Sequence, residues 1–335
     1  MTSCSAPSDR AITSTAGSIV RVCGGCAIAA LLMTTGVTQG AAQGSASGLN
    51  VVVTSKPAHS LVAAVMQGVG VPHVLVDGAA SPHTYAMKPS DAQKVQHADV
   101  FFRVSQSLEP FTQKVMQSLP NTVMRVTLAD SAGVVRLPRR TNGTFERHVH
   151  RAGEPRHAAD DSSGDADPHV WLDPANARAM TMAIAAALSQ RRPESADRFA
   201  TNAADLAARI DALQNELALD LAPVQPRPFV VFHDAIQYFE ARFGLNAVGS
   251  ITLSPDVQPS ARRLSDVRAK VHALSAACVF GEPNLPPRAI AAVTEGTSAR
   301  TGVLDPEGTL LAPGPELYSA LMRNLAASLK ACLTP

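Results

Sequence analysis

The sequence predicts an α/β fold of two lobes, each with a mainly parallel sheet flanked by helices, joined by one long rigid α-helix. Short apolar runs such as "LNVVVTSKP" alternate with amphipathic stretches such as "SLVAAVMQGVG" over residues 48–137. The same alternation resumes at residue 227, and one long helical pattern lies between the two regions. Strands that alternate with helices favour a parallel sheet covered by helices.

The first lobe is expected to span residues 48–172. Its predicted elements follow in order: the strand "LNVVVTSKP" stopped at Pro57, the helix "SLVAAVMQGVG" ended by Gly70, the strand "PHVLVDG", a helix that begins near Ser90 or Asp91, the strand "ADVFFRVS", the helix "EPFTQKVMQSL" and the strand "NTVMRVTLAD". Ser90 is a residue type that caps helix N-termini well. The polar stretch from about 138 to 167 is expected to be a flexible loop, because its composition cannot build a core.

Two helices are predicted over residues 174–221. Pro174 suits the first turn of the first helix, which continues to about Arg191. The second helix is predicted from 193 to 221, since its apolar residues recur mostly at spacings of three and four. This stripe consists of Phe199, Leu206, Ile210, Leu213, Leu217 and Leu221. Such a helix would span roughly 43 Å, which suits a strut between two lobes.

The second lobe, residues 227–335, repeats the plan of the first. Its predicted elements are the strand "RPFVVFHDA", the helix "IQYFEARFG" ended by Gly244, the strand "LNAVGSITL", the helix "SARRLSDVRAKVHAL", the strand "ACVFGEP", the helix "PRAIAAVTEGT", the strand "ARTGVLDP" and the helix "LYSALMRNLAASLKACL". Two such lobes leave a ligand cleft between them, because ligands gather beyond the carboxyl ends of parallel strands.

Residues 1–42 are expected to be a cleaved export signal. Arg10 and Arg21 precede an apolar run, and small residues follow it near Ala42 and Ala46, the candidate cleavage sites. The run is shorter than the roughly 20 residues that a transmembrane helix needs. Cys23 and Cys26 lie at the front of the run, whereas a lipid-anchoring cysteine would follow it, so no lipid anchor is expected.

The composition is that of a globular protein, with 46% hydrophobic and 17% charged residues. Removal of the signal takes away two of the 29 basic and one of the 28 acidic residues, so the remainder carries no formal net charge. A neutral chain gives no reason to expect a nucleic acid or an anionic membrane as partner.

Two of the five cysteines, Cys278 and Cys332, remain after the signal. An even pair in an exported protein favours a disulfide. Two buried free thiols are the alternative.

Four residues are candidates for a metal site at the predicted carboxyl ends of strands or beside them: His83, His169, His233 and Asp305. Three imidazoles and one carboxylate match tetrahedral Zn²⁺. The spacing alone is a weak signal, because a single histidine at a strand end is more often a hydrogen-bonded structural residue. Glu282, in "FGEP", also ends a strand at the cleft; it would either orient a ligand imidazole through its second nitrogen or cap a helix.

Several blocks of the sequence resemble the solute-binding proteins of ABC metal-uptake systems. They are "SPHTYAMKPSD", "DPHVWLDPANA", "VVFHDAIQYFEARFGLNAVGSITLSPDVQPSARRL" and "CVFGEPNLPPRAIAAVTEGTSARTGVLDPEGT", in family order, together with the closing helix. The similarity covers the chain from about residue 48 onward and is closest to the zinc-specific, ZnuA-type members.

The resemblance implies a function and a ligand set. The protein would capture Zn²⁺ in the periplasm and deliver it to a permease in the inner membrane, as a monomer and not as an enzyme. The family's three histidines fall on His83, His169 and His233, and its late aspartate falls on Asp305. Some close members carry a glutamate directly before the first histidine, where this chain has Pro82, so the fourth ligand is expected to be Asp305 or a water. A cysteine pair of close members also matches the two remaining cysteines.

The resemblance gives the polar loop two interpretations. His148, His150 and His157 lie in a shortened counterpart of the histidine- and acid-rich loop of ZnuA-type proteins. They would form an accessory zinc site that gathers metal near the cleft, or they are incidental residues of a solvated loop.

Two other functions stay open. Manganese-binding relatives tend to carry a glutamate where His233 stands, so the imidazole favours zinc over a manganese or iron carrier of the same family. A zinc hydrolase is the remote alternative, since it needs an open coordination position and a general base. No HExxH pair in the sequence supplies that base.

Overall fold

Two four-stranded parallel sheets of identical strand order form the framework of the molecule. The computed structural model describes residues 48–335 except 79, 142, 144, 146–165 and 284. The first sheet has the order β2-β1-β3-β4 and consists of β1 (Val51–Val53), β2 (His73–Val74), β3 (Val100–Arg103) and β4 (Met124–Thr127). The second has the order β6-β5-β7-β8 and consists of β5 (Pro228–His233), β6 (Asn246–Thr252), β7 (Cys278–Gly281) and β8 (Arg300–Val303). All pairings are parallel, which confirms the predicted fold class.

Nine helices of the described residues surround these sheets. They are α1 (Lys56–Val65), α2 (Pro89–Gln96), α3 (Thr112–Ser118), α4 (Pro174–Arg191), α5 (Ala196–Leu221), α6 (Gln237–Phe243), α7 (Ala261–Ala273), α8 (Pro287–Thr294) and α9 (Leu317–Leu333). Local sequence explains several of the ends. Asp173 caps α4 by accepting from the backbone N–H of Ala175, and Ser260 caps α7 by accepting from Arg263. Gly244 ends α6 in the left-handed conformation, with φ of 66°.

Three predicted boundaries in the first lobe are wrong. Helix α1 begins at Lys56, so Pro57 lies in its first turn, where its missing N–H costs nothing, instead of only stopping the strand. Helix α2 begins at Pro89 after an extended Lys88, and Ser90 lies inside the helix instead of capping it. Strand β2 has two residues, although the apolar run that predicted it is longer.

Helix α5 is the predicted strut, with a 3-10 turn at Pro193–Ser195 in place of its first three residues. Its 26 residues span about 39 Å. Every residue of the predicted apolar stripe is buried in the core that both lobes share. The helix packs along α4 and also contacts α1 of the first lobe and α9 of the second.

Two further connections join the lobes. Ser60 of α1 accepts a hydrogen bond from the backbone N–H of Tyr318 at the start of α9, and its hydroxyl donates to the carbonyl of Pro315. A segment that the sequence assigned to the first lobe reaches the second sheet, because Phe145 N–H donates to the Val248 carbonyl and Ser250 N–H donates to Gly143. The lobes are therefore braced on more than one side of the strut.

The disulfide prediction is confirmed. Cys278 and Cys332 are bonded, with their Cα atoms 6.1 Å apart, so the free-thiol alternative is excluded. The bond ties the first residue of β7 to the last turn of α9. Within the described residues, no helix combines the length and the apolar character needed to cross a membrane.

Candidate metal centre

Three histidines from distant parts of the chain meet in the cleft. His83 lies in the loop between β2 and α2, His169 directly precedes a 3-10 turn at Val170–Leu172, and His233 is the last residue of β5. His169 Nε2 lies 3.2 Å from His83 Nε2 and 3.4 Å from His233 Nε2. One nitrogen from each ring lies within 4.8 Å of the others. The sequence prediction that these three residues converge agrees with this geometry.

Two of the three separations between the ring nitrogens fit a tetrahedral cation. Zinc–nitrogen bonds of 2.0–2.1 Å at tetrahedral angles separate two ligand atoms by about 3.3 Å. The two measured Nε2 separations are 3.2 and 3.4 Å. Neutral Nε2 atoms that face one another repel unless a proton or a metal ion lies between them. The donor set therefore fits a cation that prefers nitrogen ligands.

Carboxylates on the far side of two rings hold the imidazoles in place. Asp167 Oδ1 lies 2.7 Å from Nδ1 of His169, and Glu282 Oε1 lies 2.5 Å from Nδ1 of His233. Because a carboxylate accepts, each Nδ1 is assigned as the donor, which leaves the Nε2 lone pair for a metal. The β5–β7 register pairs Val231 with Phe280, which brings the ends of these two strands, and so His233 and Glu282, side by side.

Asp167 is itself fixed by contacts with both lobes. Its carbonyl accepts from the hydroxyl of Tyr238 on α6, and its N–H donates to the carbonyl of Leu137. Burial raises the pKa of its carboxyl to about 7, against the N–H of His169 and the positive charge of Arg140, which lower it. The Asp167 carboxyl is buried, so its hydrogen bond to the His169 imidazole is shielded from water.

The three imidazoles differ in their affinity for protons. Burial lowers the pKa of His83 well below its usual value, and the neighbouring His169 and His233 lower it further. Burial also lowers the pKa of His169 well below the usual value. Burial acts in the same direction on His233, but the charge and hydrogen bond of Glu282 outweigh it and raise the pKa of that imidazole. Two of the imidazoles are thus neutral over a wide pH range, and the third, His233, keeps its proton to a higher pH.

Asp305 is not part of the histidine cluster in this structure. It lines the same cleft, but its two oxygens accept from the backbone N–H groups of Thr309 (2.9 Å) and Leu310 (3.0 Å). These bonds hold the turn that follows β8. Asp305 as the fourth ligand stays a prediction, and the contacts that it makes are structural.

Glu307 is a residue of the cleft that the sequence interpretation missed. Its Oε1 lies 3.9 Å from Nε2 of His83 and accepts a hydrogen bond of 2.9 Å from Ser81. Burial raises the pKa of its carboxyl to about 7, although His233 and Ser81 lower it. The only signal for it in the sequence is an acidic residue two positions after Asp305 in "LDPEGT".

Two predictions about the site remain. Glu282 occupies the position of an imidazole-orienting residue, and its role stays a prediction. His148, His150 and His157 lie outside the described residues. The cleft beside the cluster has a volume of about 350 Å³ and is lined by both lobes, with Ser81 and Tyr85 on one side and Glu282 and Glu307 on the other.

Comparison with known proteins places the chain in a family. Residues 51–332 match the family described as "ZnuA: Zinc-uptake complex component A periplasmic". The chain is 44% identical over 305 residues to the high-affinity zinc uptake system protein ZnuA of Brucella suis. This alignment covers 85% of this chain and 91% of the relative.

Solved structures show the same fold at lower identity. A crystal structure of ZnuA aligns with a TM-score of 0.69 at 21% identity and covers 85% of this chain and 99% of that one. A manganese-bound periplasmic metal-binding protein from Candidatus Liberibacter asiaticus aligns with a TM-score of 0.68 at 20% identity, over 84% and 99% of the two chains.

The fold and the cleft between its lobes define the class, a two-lobed α/β protein with parallel sheets, and the solved structures share this fold. Within that class, the chain belongs to the ZnuA family of zinc-uptake proteins.

Proposed function

We propose that this protein is the high-affinity zinc-binding component of an ABC transporter, which captures Zn²⁺ in the periplasm and delivers it to the membrane permease. The observation that carries the proposal is the convergence of one ring nitrogen from each of His83, His169 and His233 within 4.8 Å. Membership of the ZnuA family supports the same function. Zinc is the cargo in this proposal, held by side chains and released unchanged.

The residues of the site have two roles in zinc capture. The three Nε2 atoms bind the cation, while Asp167 and Glu282 keep two of the rings in the tautomer that presents Nε2. A nitrogen-rich site of low coordination number favours zinc over Mn²⁺, which prefers oxygen ligands in octahedral geometry. From the sequence, the fourth position belongs to Asp305 or to a water.

Metal analysis of the protein purified from the exported fraction tests the proposal. The wild-type protein is expected to contain one zinc ion in the cleft. His83→Ala, His169→Ala and His233→Ala should each weaken zinc binding by more than about 100-fold, since loss of a supporting partner alone typically costs about 10–100-fold. His272→Ala, an exposed histidine on α7, is the matched control and should bind as the wild type does. Zinc binding of wild-type affinity in all three variants would overturn the proposal.

A manganese or iron carrier of the same family is the second candidate. The manganese-bound structural relative is the observation that favours it. Titration of the metal-free protein with Zn²⁺ in competition with Mn²⁺ and Fe²⁺ separates the candidates. The zinc proposal requires Zn²⁺ to displace the other two ions, and the reverse order would replace it.

Export, oligomeric state and the polar loop complete the proposal. The protein would be exported through cleavage of residues 1–42, act as a monomer and carry an accessory zinc site at His148, His150 and His157. A zinc hydrolase stays the remote alternative, because it requires a metal-bound water in an open position. A closed coordination shell would argue against it.

A further inference from the structure

A buried arginine and two carboxylates lie beside the metal centre, and zinc capture as described above does not involve them. Arg140 donates to Asp234 at 3.0 Å and to Glu240 at 2.7 Å. The three side chains are 13%, 5% and 13% exposed. The guanidinium also lies over the ring of Phe145, 4.0 Å from its centre. Buried ion pairs are weak evidence for a contribution to stability, because the removal of the charges from water offsets much of their attraction. The cluster is therefore a candidate for a role in the site.

Arg140 belongs to a short segment after β4, residues 137–141, which we call the strap. Both carboxylates that Arg140 contacts belong to the second lobe, since Asp234 directly follows β5 and Glu240 lies in α6. A guanidinium presents its donors in a fixed planar fork, so a single side chain can bind two carboxylates and hold one direction. Arg140 thus fixes the strap to the second lobe.

The strap pairs with the segment that carries Asp167. Pro138 forms an antiparallel bridge with Ala166, and the N–H of Asp167 donates to the carbonyl of Leu137 at 2.8 Å. These two contacts place the strap directly behind the residue that supports His169.

Two side chains of α6 hold the strap and Asp167 together. The hydroxyl of Tyr238 accepts from the N–H of Leu137 and donates to the carbonyl of Asp167, both at 2.9 Å. The amide of Gln237, oriented with its nitrogen toward acceptors, donates to the carbonyl of Pro138 at 3.3 Å and to Oδ2 of Asp167 at 2.9 Å. Oδ1 of Asp167 accepts from the backbone N–H of His169 and from its Nδ1. A continuous series of contacts therefore runs from Arg140 through the strap and Asp167 to His169.

We propose that Arg140 is a positioning residue of the zinc site, which acts through the strap and Asp167 to hold the His169 imidazole with Nε2 toward the metal. The inference rests on the function proposed above. If the Asp167 carboxylate is displaced, it no longer accepts from Nδ1, so the imidazole can rotate or carry its proton on Nε2, where the proton blocks the metal. Asp234 directly follows His233, so a second route from Arg140 to the site would pass through that residue.

A double-mutant cycle on zinc affinity tests the route. Arg140→Met and Asp167→Ala should each weaken zinc binding by about 10–100-fold, the usual effect of a lost supporting partner. The double variant should be at most about threefold weaker than Asp167→Ala, because both substitutions act on the same imidazole. Glu282→Gln affects His233 instead, so Arg140→Met should keep its full effect in that background. Chelator competition at pH 8 measures each affinity.

Arg242→Met is the matched control. Arg242 makes a two-pronged contact with Asp173, with both hydrogen bonds at 2.7 Å, and so joins α6 to the N-terminus of α4. Its loss should lower thermal stability, and any effect on zinc binding should be the same with and without Asp167. Arg140→Lys covers the case in which Arg140→Met does not fold, since the lysine keeps the charge but reaches only one of the two carboxylates. It should fold, bind zinc more weakly than the wild type and show the same dependence on Asp167.

The tautomer of His169 is a second readout, and it does not require zinc. Long-range ¹H–¹⁵N NMR spectra of the metal-free protein at pH 8 identify the ring nitrogen that carries the proton. We expect Nδ1 in the wild type and in Arg242→Met, and a mixture of both tautomers in Arg140→Met.

The outcomes separate this inference from the function on which it rests. Wild-type affinity in Arg140→Met, an unchanged His169 tautomer, or an effect that multiplies with Asp167→Ala as fully as with Glu282→Gln each overturns the role of Arg140. A loss of additivity with Glu282→Gln alone would assign the route to Asp234 and His233, which also overturns it. A wild-type protein that binds no zinc refutes the proposed function, and the His169 tautomer then decides on Arg140 by itself.

Discussion

Among the three histidines of the cluster, His233 is the one on which a proton competes most strongly with a metal ion. Its Nδ1 faces the carboxylate of Glu282, which raises the pKa of the imidazole above the usual 6.5 in spite of burial. The pKa values of His83 and His169 lie well below that value. A zinc ion therefore competes with a proton for His233 up to a higher pH than it does for His83 and His169.

The first prediction is a staged pH dependence of zinc affinity. Affinity should be constant above the pKa of His233 and fall about tenfold per pH unit below it, because one proton then competes for the site. A steeper decline should appear only well below pH 6.5, where His83 and His169 begin to take up protons. Chelator competition between about pH 5 and 8.5 measures the profile. An affinity that does not change between about pH 7.5 and 5.5 would contradict a site made of three histidines.

The second prediction concerns the carboxylate behind His233. Glu282→Gln removes the charge that raises the pKa of His233, so the decline in affinity should begin at a lower pH than in the wild type. At pH 8 the variant should bind zinc about 10–100-fold more weakly, because the ligand nitrogen is less basic. Glu295→Gln, an exposed acidic residue paired with Arg268, is the control and should change neither quantity. If zinc affinity begins to fall at the same pH in Glu282→Gln and in the wild type, Glu282 does not act through His233.

Sequence reasoning identified the three histidines but not the carboxylate that the structure brings nearest to their Nε2 side. Strand ends and loops beside rigid elements mark all three as candidates, and family similarity assigns all three to the metal site. Which of Asp305 and Glu307 faces the histidines depends on the backbone N–H groups of the turn, which bond to Asp305. It also depends on Ser81, which bonds to Glu307 from more than 220 residues away along the chain. Contacts of that kind are tertiary, so local pattern does not determine which of two neighbouring acidic side chains faces the cleft.

At the scale of elements, α5 shows what periodicity predicts well. The apolar spacing identified both the helix and its buried face, since burial against a core imposes the helical repeat on the sequence. The wrong boundaries lie where proline and capping residues compete. Pro57 and Pro89 each entered the first turn of a helix, and neither marks the end of an element. Periodicity therefore gives the existence and face of an element more reliably than its first residue.

The third prediction uses one substitution at two positions of α5. Leu213 is fully buried, and Leu219, six residues later, is 81% exposed. Leu213→Ala should lower the free energy of unfolding by about 2–5 kcal/mol, because it leaves a cavity in the core shared by both lobes. Leu219→Ala should change it by no more than about 0.5 kcal/mol, since it changes only a solvated surface of the helix. Urea denaturation of both variants measures the difference, and equal effects would show that the stripe is not what stabilises the strut.

At the scale of the whole molecule, the lobes are joined by more than their linker. Helix α5 contacts α1 and α9, Ser60 bonds to the chain at the start of α9, and Lys56 and Trp171 of the first lobe donate to the turn that carries Glu307. A hinge needs a few residues that absorb a large change in backbone dihedrals while the rest moves as a rigid body. Here, movement of one lobe away from the other would break buried hydrogen bonds and separate a continuous core. The architecture therefore favours local closure around the metal over wide opening of the lobes.

The fourth prediction follows from this bracing. Small-angle X-ray scattering of the metal-free and zinc-loaded protein should give the same radius of gyration within error, because ring nitrogens of three histidines already lie within 4.8 Å of one another, so that zinc needs only small shifts of side chains to bind them. His233→Ala, measured with and without zinc, controls for effects of the ion on regions outside the site. A compaction of several ångströms on zinc addition, absent in His233→Ala, would mean that the lobes close as rigid bodies. The contacts of Lys56 and Trp171 would then form only in the loaded state, and the cleft described here would correspond to that state.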